Sequence, residues 1–438
     1  MVNDGTLDIP GTGAGDMNNL WSNPPLGPTA PVGEILLAGT AIRIELPPSL
    51  HQLAVDRYEA IRKHIERADS PLHDRVRIFY PQGSMAIRAT IKARKRVDGF
   101  DIDIIAELIL PLSLTPAEVL DLLFAAINGP PGSRYHGMVE RQTRCVTVYY
   151  ADGMHLDVTP TVLIDERAPR LSCLFHAKAE EPPASHKRVL MNSFAFCDWF
   201  NELTPANVSF AMAYAERAAA FDRIAILADA EVKPVPAHST IEGGKSTTVV
   251  ALQLLKRNRN LRHEKRKGMR LPPSVMMAKI AAETSVPGAS IAGALESIAG
   301  AIQSTLEAAE REERLVDVRN PRCQDERFTD RWPENRQAQR LYIEDLKLLR
   351  QQLAALMSDS LMLDQKRDLL VAMFGEGPAQ STVDEYAATI GRSIQSGNRL
   401  VSPLGRIVPS VAAAAPFVVK SGPAQPRPHT FFGTRWKG

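Results

Sequence analysis

The spacing of hydrophobic residues changes near residue 185, and this change restricts the possible folds more than any other feature of the sequence. Before it, short runs rich in β-branched and aromatic residues alternate with helical patterns. After it, hydrophobic residues recur at the helical spacing of three and four. Amphipathic helices are predicted over residues 185–202, 205–228, 246–259, 274–283, 291–313, 337–357 and 364–374. The predicted fold class is therefore α+β, with a mixed sheet and its helices packed on a helical lobe.

Length and composition divide the chain further. At 438 residues it is long enough for two packed domains. Proline and glycine are frequent in the first 35 residues, and proline, alanine and serine are frequent after residue 397, where neither composition favours a packed element. We predict a flexible arm over residues 1–35, an α+β lobe over 36–190, a helical lobe over 191–397 and a flexible tail over 398–438.

The amino half contains four candidate strands and two candidate helices. The strands are predicted over residues 75–80, 100–106, 145–150 and 154–159. Ser49 follows two prolines and is a candidate N-cap for an amphipathic helix that ends near Arg67. Thr115 and Pro116, followed by Glu118, indicate a second helix start, because threonine caps, proline fits the first turn and an acid suits the helix dipole.

The sequence Asp101-Ile102-Asp103 places two carboxylates on one face of the second predicted strand. Residues i and i+2 of a strand share a face, so both aspartates project together while Ile102 faces the other way. Two carboxylates on one rigid face can hold a pair of divalent ions, the arrangement by which polymerases activate a hydroxyl and stabilise pyrophosphate. A chain of this length contains about one such tripeptide by chance, so the motif carries little weight alone.

Two further features give the motif its context. Gly83 and Ser84 lie between a strand and a helical stretch, where backbone N–H groups can bind phosphate and glycine permits its close approach. Asp157 supplies a third carboxylate on a later strand. His155 shares a face with Asp157, and we interpret it as a structural hydrogen-bonding residue. The ordered combination predicts a site for nucleotide chemistry.

This set of motifs resembles the polymerase-beta-like nucleotidyltransferase superfamily. The helical half, with its motifs at residues 251–259, 271–274, 320–332 and 370–376, is similar to that of the bacterial CD-NTases. These are relatives of cyclic GMP-AMP synthase that make cyclic oligonucleotide signals in the anti-phage systems called CBASS. The resemblance covers about residues 50–390 and implies a two-lobed nucleotidyltransferase that condenses nucleoside triphosphates, ATP or GTP, into a cyclic di- or trinucleotide containing purines. A downstream effector would bind the product.

The resemblance also implies roles for individual residues. Asp101, Asp103 and Asp157 would be catalytic and would hold two Mg²⁺ ions, with Mn²⁺ as an alternative. Asp157 would also help to deprotonate the acceptor hydroxyl. The donor nucleotide would be bound by four residues, two from each half of the chain: Gly83, Ser84, Lys256 and Ser274. Lysine offers a compact charge and serine a neutral donor to phosphate.

The sequence departs from its relatives at several points. Ala89-Thr90 stands where relatives often have Gly-Thr, which puts a phosphate-binding role of Thr90 in doubt. Val275 follows Ser274 where metazoan synthases have an aromatic residue, so the base-stacking residue is unidentified. No cluster of Cys and His could form a zinc thumb, so neither zinc nor activation by DNA is implied.

The rest of the sequence predicts a cytoplasmic protein without a membrane span. Residues 1–19 lack the basic and apolar regions of a secretory signal, and no apolar run approaches about 20 residues. The four cysteines are widely spaced, which favours buried thiols in a reducing compartment. Some CD-NTases are conjugated through a carboxy-terminal glycine by an E1/E2-like partner enzyme, and Gly438 is a candidate conjugation site.

Two alternative functions remain open. One is a nucleotidyltransferase of the same superfamily that modifies a small molecule or RNA. The other is a non-catalytic relative that binds nucleic acid. The net charge, with 52 Lys and Arg against 50 Asp and Glu, does not suit a whole-surface polyanion binder. Such binding would depend on the basic run at residues 256–270, which can equally be a solvated helix face.

Overall fold

A computed structural model of the chain describes residues 30–46, 48–92, 100–165, 170–228, 244–396, 399–401 and 407–409. The described residues form twelve α-helices: α1 Val32–Ile44, α2 Pro48–Ile65, α3 Gly83–Ala86, α4 Pro116–Asn128, α5 Ser193–Leu203, α6 Val208–Ala228, α7 Thr247–His263, α8 Ser274–Glu283, α9 Ile291–Arg311, α10 Arg336–Met357, α11 Leu363–Phe374 and α12 Glu376–Gln395. They also form eleven strands: β1 Val76–Pro81, β2 Phe100–Leu108, β3 Val139–Arg141, β4 Val146–Tyr149, β5 Met154–Leu163, β6 Ser172–His176, β7 Lys187–Met191, β8 Arg319–Asn320, β9 Cys323–Arg327, β10 Arg399–Val401 and β11 Ile407–Pro409.

The amino half is a mixed seven-stranded sheet. The strands run in the order β1-β2-β5-β4-β3, and β6 extends the sheet from β5 and carries β7 at its outer edge. Only the central pair, β2 and β5, is parallel, whereas β1 and β4 are antiparallel to their neighbours in that pair. This arrangement puts the strand with the two aspartates beside the strand with the third.

Two hydrophobic cores correspond to the two halves. One core lies between the sheet and the helices α2 and α4, with Ile104, Leu123 and Val158 fully buried. The other lies among α1 and the helices from α5 onward, with Leu254 and Leu346 buried. The predicted α+β class, with a mixed sheet packed on a helical lobe, is confirmed.

Most predicted helices form close to their predicted bounds. Helix α8 spans Ser274–Glu283 as predicted. Helix α4 begins with the expected cap, in which the Thr115 side chain accepts from the Glu118 N–H and Glu118 binds back to the Thr115 N–H. The sequence prediction that Ser49 caps α2 is wrong, because α2 already begins at Pro48.

Two elements differ from the sequence prediction. The helix predicted from residue 185 begins at Ser193, because residues Lys187–Met191 pair with β6 as the edge strand β7. The predicted boundary at residue 35 falls inside α1, a helix buried along almost its whole length in the helical core. A helix that is buried on all sides has no exposed polar face and therefore no amphipathic stripe, so the helical spacing did not reveal it.

A small hairpin formed by β8 and β9 follows α9, and β9 packs against β7. It brings a segment of the helical half to the edge of the sheet. None of the helices in the described part of the chain is both long and apolar enough to cross a membrane.

Candidate active site

Asp103, Asp157 and Thr147 form a row across three neighbouring strands. The strand register places Asp103 of β2 opposite Asp157 of β5, and Thr147 of β4 opposite Asp157 on its other side. The Thr147 hydroxyl donates a hydrogen bond of 2.6 Å to Asp157 Oδ1. Since residues in register on adjacent strands share a face, the two carboxylates project from the same side of the sheet.

Asp101, His155 and Tyr149 form a second row, two residues along the same strands. Asp101 is in register with His155, and His155 with Tyr149. The Asp101 carboxylate is 68% exposed, and its Oδ1 lies 3.4 Å from His155 Nδ1. The rings of Tyr149 and His155 meet edge to face with centroids 4.8 Å apart. The three predicted aspartates are thus brought together on one face.

The charges of these carboxylates oppose one another. Burial, and then the charges of Asp157 and Asp101, raises the pKa of Asp103 to about 7. Burial also raises the pKa of Asp157, and the hydrogen bond from Thr147 works against that rise. Like charges that share a partly dehydrated site favour protonation unless a cation balances them. The face therefore has the electrostatic character of a cation site.

The turn between β1 and α3 lies against the Asp103 side chain. Gly83 has φ +58°, and a Cβ atom there would come within 2.6 Å of Asp103 Oδ2, so only glycine fits. The Gln82 N–H donates to the Asp103 carbonyl at 2.8 Å. Ser84 follows, and its Oγ accepts from the Thr90 hydroxyl at 3.4 Å. The predicted phosphate turn is therefore adjacent to the carboxylates, and Thr90 contacts it.

Lys256 approaches the same turn from helix α7. It is buried, and its Nζ donates a hydrogen bond of 2.8 Å to the carbonyl of Ala89. Burial, and then the charge of Arg259, lowers the pKa of Lys256 to about 7, while Asp103 and Asp101 oppose that change. A buried amine with so few neighbouring anions is suited to a negatively charged ligand.

Ser274, the first residue of α8, is held by an arginine that the sequence analysis did not identify. The Arg259 guanidinium donates to Ser274 Oγ at 2.8 Å and to the Pro272 carbonyl at 2.6 Å. Arg259 is buried, and burial lowers its pKa to about 10. Arg259 belongs to a basic helical run, and sequence alone does not show which side chains of such a run face the cavity. It therefore could not be identified as a site residue from the sequence.

A cavity of about 550 Å³ lies between the two lobes and joins these groups. Six of the seven residues predicted to bind nucleotide or metal line it, whereas Asp157 is placed beside Asp103, away from the lining. Further lining residues include Thr90, Arg259, Asn260, Glu326 and Phe328. Asp101, Asp103 and the predicted nucleotide-binding residues therefore line one cavity, and Asp157 lies beside it next to Asp103.

Glu326 of β9 is a second cavity residue to which the sequence analysis gave no role. Its Oε2 accepts from the Asn192 N–H at 2.8 Å and from Asn320 Nδ2 at 2.7 Å. Burial raises the pKa of Glu326, and both hydrogen bonds work against that rise. The residue reaches the cavity only because the hairpin packs on β7, a tertiary contact that no local pattern predicts.

The basic run at residues 256–270 turns much of its charge inward. Arg257 is buried and its Nε donates to the Phe374 carbonyl at 3.0 Å, and Arg266 forms an ion pair of 2.6 Å with Asp345. Cations used in this way are not available as a surface for nucleic acid. Gly438, the predicted conjugation site, lies outside the described residues.

Comparison with known proteins gives three results. A family model described as the Second Messenger Oligonucleotide or Dinucleotide Synthetase domain matches residues 42–169. The cyclic dinucleotide synthase CdnG of Bradyrhizobium diazoefficiens is 39% identical over 414 residues, which cover 94% of this chain and 97% of that protein. The c-di-GMP synthase of Roseivirga ehrenbergii is 24% identical over 402 residues, covering 91% and 97%.

A solved structure also matches this chain in three dimensions. It is the Bradyrhizobium diazoefficiens CD-NTase CdnG in complex with GTP, which is 38% identical and superposes with a TM-score of 0.67. The match covers 80% of this chain and 97% of that one. Sheet, helical lobe and the cleft between them therefore follow an arrangement that is shared with a nucleotide-bound relative.

Proposed function

Because this chain belongs to the CD-NTase family, we propose that it joins nucleoside triphosphates into a cyclic dinucleotide through ribose hydroxyls and releases pyrophosphate at each step. The observation that carries the proposal is that Asp101, Asp103, Gly83, Ser84 and Lys256 line one cavity between the lobes. The carboxylates form one wall and the cationic helix the other. Such a pairing suits a triphosphate bound together with divalent cations.

Guanine nucleotides are the proposed substrates. Two relatives are named for cyclic dinucleotide or c-di-GMP synthesis, and the solved relative contains GTP. The cavity is compatible with a purine nucleotide, since its volume of about 550 Å³ is within the usual range of ligand sites. A dinucleotide product is favoured over a trinucleotide by the same relatives.

The residues present fit Mg²⁺ in their chemistry. Within the described residues, no group of three or more His, Cys, Asp or Glu side chains is close enough together to hold a metal ion as it stands. The Asp101 carboxylate is 68% exposed, however, and projects from the same face as those of Asp103 and Asp157. Carboxylate oxygens are preferred Mg²⁺ ligands. We propose that Asp101, Asp103 and Asp157 hold two Mg²⁺, which when bound neutralise the triphosphate and lower the pKa of the acceptor hydroxyl.

The side chains themselves have separate tasks in the proposal. Asp157, oriented by the Thr147 hydroxyl, accepts the proton of the acceptor hydroxyl. Lys256 offers positive charge to the terminal phosphates, and Gly83 and Ser84 bind them at the turn that Lys256 approaches. The acceptor oxygen then forms a bond to the donor α-phosphorus as the bond to the β-phosphate oxygen breaks, and pyrophosphate leaves with the electron pair.

The biological setting is also a proposal. Membership of the family supports a role in CBASS anti-phage signalling, with an effector that binds the cyclic product and an E1/E2-like enzyme that conjugates Gly438. The four cysteines are free thiols, which supports a reducing compartment such as the cytoplasm, where nucleoside triphosphates are available.

Mass spectrometry of the products formed from all four nucleoside triphosphates with Mg²⁺ tests the function. The expected product is a phosphatase-resistant cyclic dinucleotide that contains guanine. The rival activity, modification of a small molecule or RNA, requires another acceptor and gives no such product from the triphosphates alone. Failure to form any cyclic product when such an acceptor is modified would overturn the proposal in favour of that rival.

A further inference from the structure

Tyr149 and His155 lie in one row with Asp101 at the edge of the active-site face, and neither has a task in the function proposed above. Tyr149 projects on the same face as Thr147, two residues earlier on β4, and therefore on the face of the catalytic carboxylates. Tyr149 is 37% exposed, which makes it one of the few large exposed aromatic residues in the described part of the chain.

The Tyr149 ring is held in a fixed orientation. Its hydroxyl donates to Glu140 Oε2 at 2.8 Å and accepts from Gln142 Nε2 at 3.4 Å. The edge-to-face contact with His155 supports the ring from the side of β5. A rigid exposed aromatic ring loses little entropy when a ligand binds, which is the property required of a stacking surface.

The direction of the reaction determines which substrate can reach this ring. In nucleotidyl transfer the attacking oxygen and the leaving pyrophosphate lie roughly in line, on opposite sides of the reacting phosphorus. The groups that attract pyrophosphate line the cavity beside the turn that follows β1. Ser84 belongs to this turn, and the Lys256 amine donates to the carbonyl of Ala89, whose N–H donates to the Ser84 carbonyl. Since β1 borders β2 on the side away from β5, these groups lie on the β1 side of the carboxylates. The acceptor hydroxyl must therefore approach from the other side, over β5 and β4, where Asp157 and Tyr149 lie.

We infer that Tyr149 and His155 form a platform for the nucleoside of the acceptor nucleotide, with the acceptor base stacked on the Tyr149 ring. The inference rests on the proposed function and assigns one subsite of it. His155 acts as a positioning residue, because it contacts both the Tyr149 ring and Asp101. The Tyr149 ring would supply an aromatic stacking surface on the catalytic lobe. The helical lobe has no aromatic residue directly after Ser274, because Val275 stands there.

The test uses two GTP analogues, one that can react only as the donor nucleotide and one that can react only as the acceptor nucleotide. 2′,3′-Dideoxy-GTP has no ribose hydroxyl and acts only as the donor. A GTP analogue with a methylene bridge between its α- and β-phosphates cannot lose pyrophosphate and acts only as the acceptor. Formation of the linear product, measured with labelled donor and Mg²⁺ while the acceptor concentration is varied, gives KM for the acceptor alone.

Three variants distinguish stacking from simple support. Tyr149→Ala and Tyr149→Leu are expected to raise KM for the acceptor about tenfold, since stacking a base on an aromatic ring contributes this much. Tyr149→Phe keeps the ring and is expected to stay close to the wild-type KM despite losing two hydrogen bonds. Thermal stabilisation by 2′,3′-dideoxy-GTP, the analogue that acts only as the donor, is expected to be unchanged in all three.

Several results would overturn the inference. An unchanged acceptor KM in Tyr149→Ala would remove the platform, and so would equal losses in the Phe and Leu variants, because these would indicate support through the hydroxyl. A parallel loss of donor binding would indicate a structural role. A wild-type protein that joins no nucleotides at all would overturn the proposed function itself.

Discussion

The two walls of the cavity carry opposite charges, and burial disfavours the charge on both of them. On the strand wall, burial and like charges raise the pKa of Asp103 to about 7, and on the helical wall burial lowers the pKa of Lys256 to about 7. Each group is thus kept close to losing its charge. Both walls are suited to receive the missing counter-charge from a ligand, a divalent cation on one side and a phosphate on the other.

The walls differ in how their groups are held. The carboxylates are placed by the backbone register of β2 and β5, which does not depend on the helical lobe. The helix wall is placed by contacts across the lobes: Lys256 Nζ donates to the Ala89 carbonyl, and Gln253 Nε2 donates to the Thr90 carbonyl, both at 2.8 Å. The strand wall should therefore control chemistry, and the helix wall should control donor binding.

Removing the carboxylates from the strand wall should have the largest effect. Asp101→Asn with Asp103→Asn is expected to lower the rate of pyrophosphate release by more than about a thousandfold, because the amides cannot hold Mg²⁺. The fold should persist, since burial already disfavours the charge on Asp103. Asp69→Asn, which alters an exposed ion pair with Arg67, is the matched control and should leave the rate unchanged. Substantial synthesis by the double variant would contradict the assignment of these aspartates.

Removing the positive charge of Lys256 from the helix wall should weaken binding of the donor triphosphate. Lys256→Met is expected to raise KM for the donor triphosphate by about 10- to 100-fold, the loss typical of a hydrogen bond between charged partners. The maximal rate should change less. Steady-state kinetics on GTP would measure both, with Lys265→Met as a control, because Lys265 is exposed just beyond α7. A lower maximal rate at unchanged KM would place Lys256 in the chemical step and remove the distinction between the walls.

The same difference explains how much of the site the sequence could predict. Asp101 and Asp103 share a face because strands alternate, and the predicted strand forms as β2. To predict that Asp157 joins them, it was enough to assume that its strand lies beside the strand of Asp101 and Asp103, as β5 lies beside β2. Arg259 and Glu326, by contrast, enter the cavity through packing between distant segments, which local spacing does not encode. Sequence therefore predicted which carboxylates share the strand wall, whereas on the helix wall it identified only Lys256 and Ser274 as candidates.

The fold shows the same limit. The long amphipathic helices were predicted because one face is apolar, and α8 matches its predicted bounds. Strand β7 was interpreted as helix, because the spacing of hydrophobic residues cannot distinguish a strand from a helix over only five residues. These residues form a strand because they pair with β6. Helix α1 is buried on all sides and so lacks the stripe from which helices are predicted.

A smaller loss of rate is expected when the carboxylates of the strand wall are kept and only a hydrogen bond to one of them is removed. Thr147→Val keeps the shape of the side chain but removes the 2.6 Å hydrogen bond to Asp157. The expected loss in maximal rate is about tenfold, with KM for the donor unchanged, because Asp157 lies away from the cavity lining. Thr305→Val on the exposed side of α9 is the control. A change in donor KM alone would show that Thr147 acts on the cavity instead.

The smallest expected effect is a pH dependence of stability without metal or nucleotide. A raised carboxylate pKa stabilises the fold at low pH, so the contribution of Asp103 is lost as pH rises from about 4 to about 7. A lowered amine pKa has the opposite sign, so the contribution of Lys256 is present above about 10.5 and is lost as pH falls towards 7. Thermal unfolding should therefore show Asp103→Asn stabilised relative to wild type more at pH 8 than at pH 5, and Lys256→Met more at pH 6 than at pH 9. Equal differences at all pH values would show that neither wall is tuned by burial, and the two walls would then differ only in sign of charge.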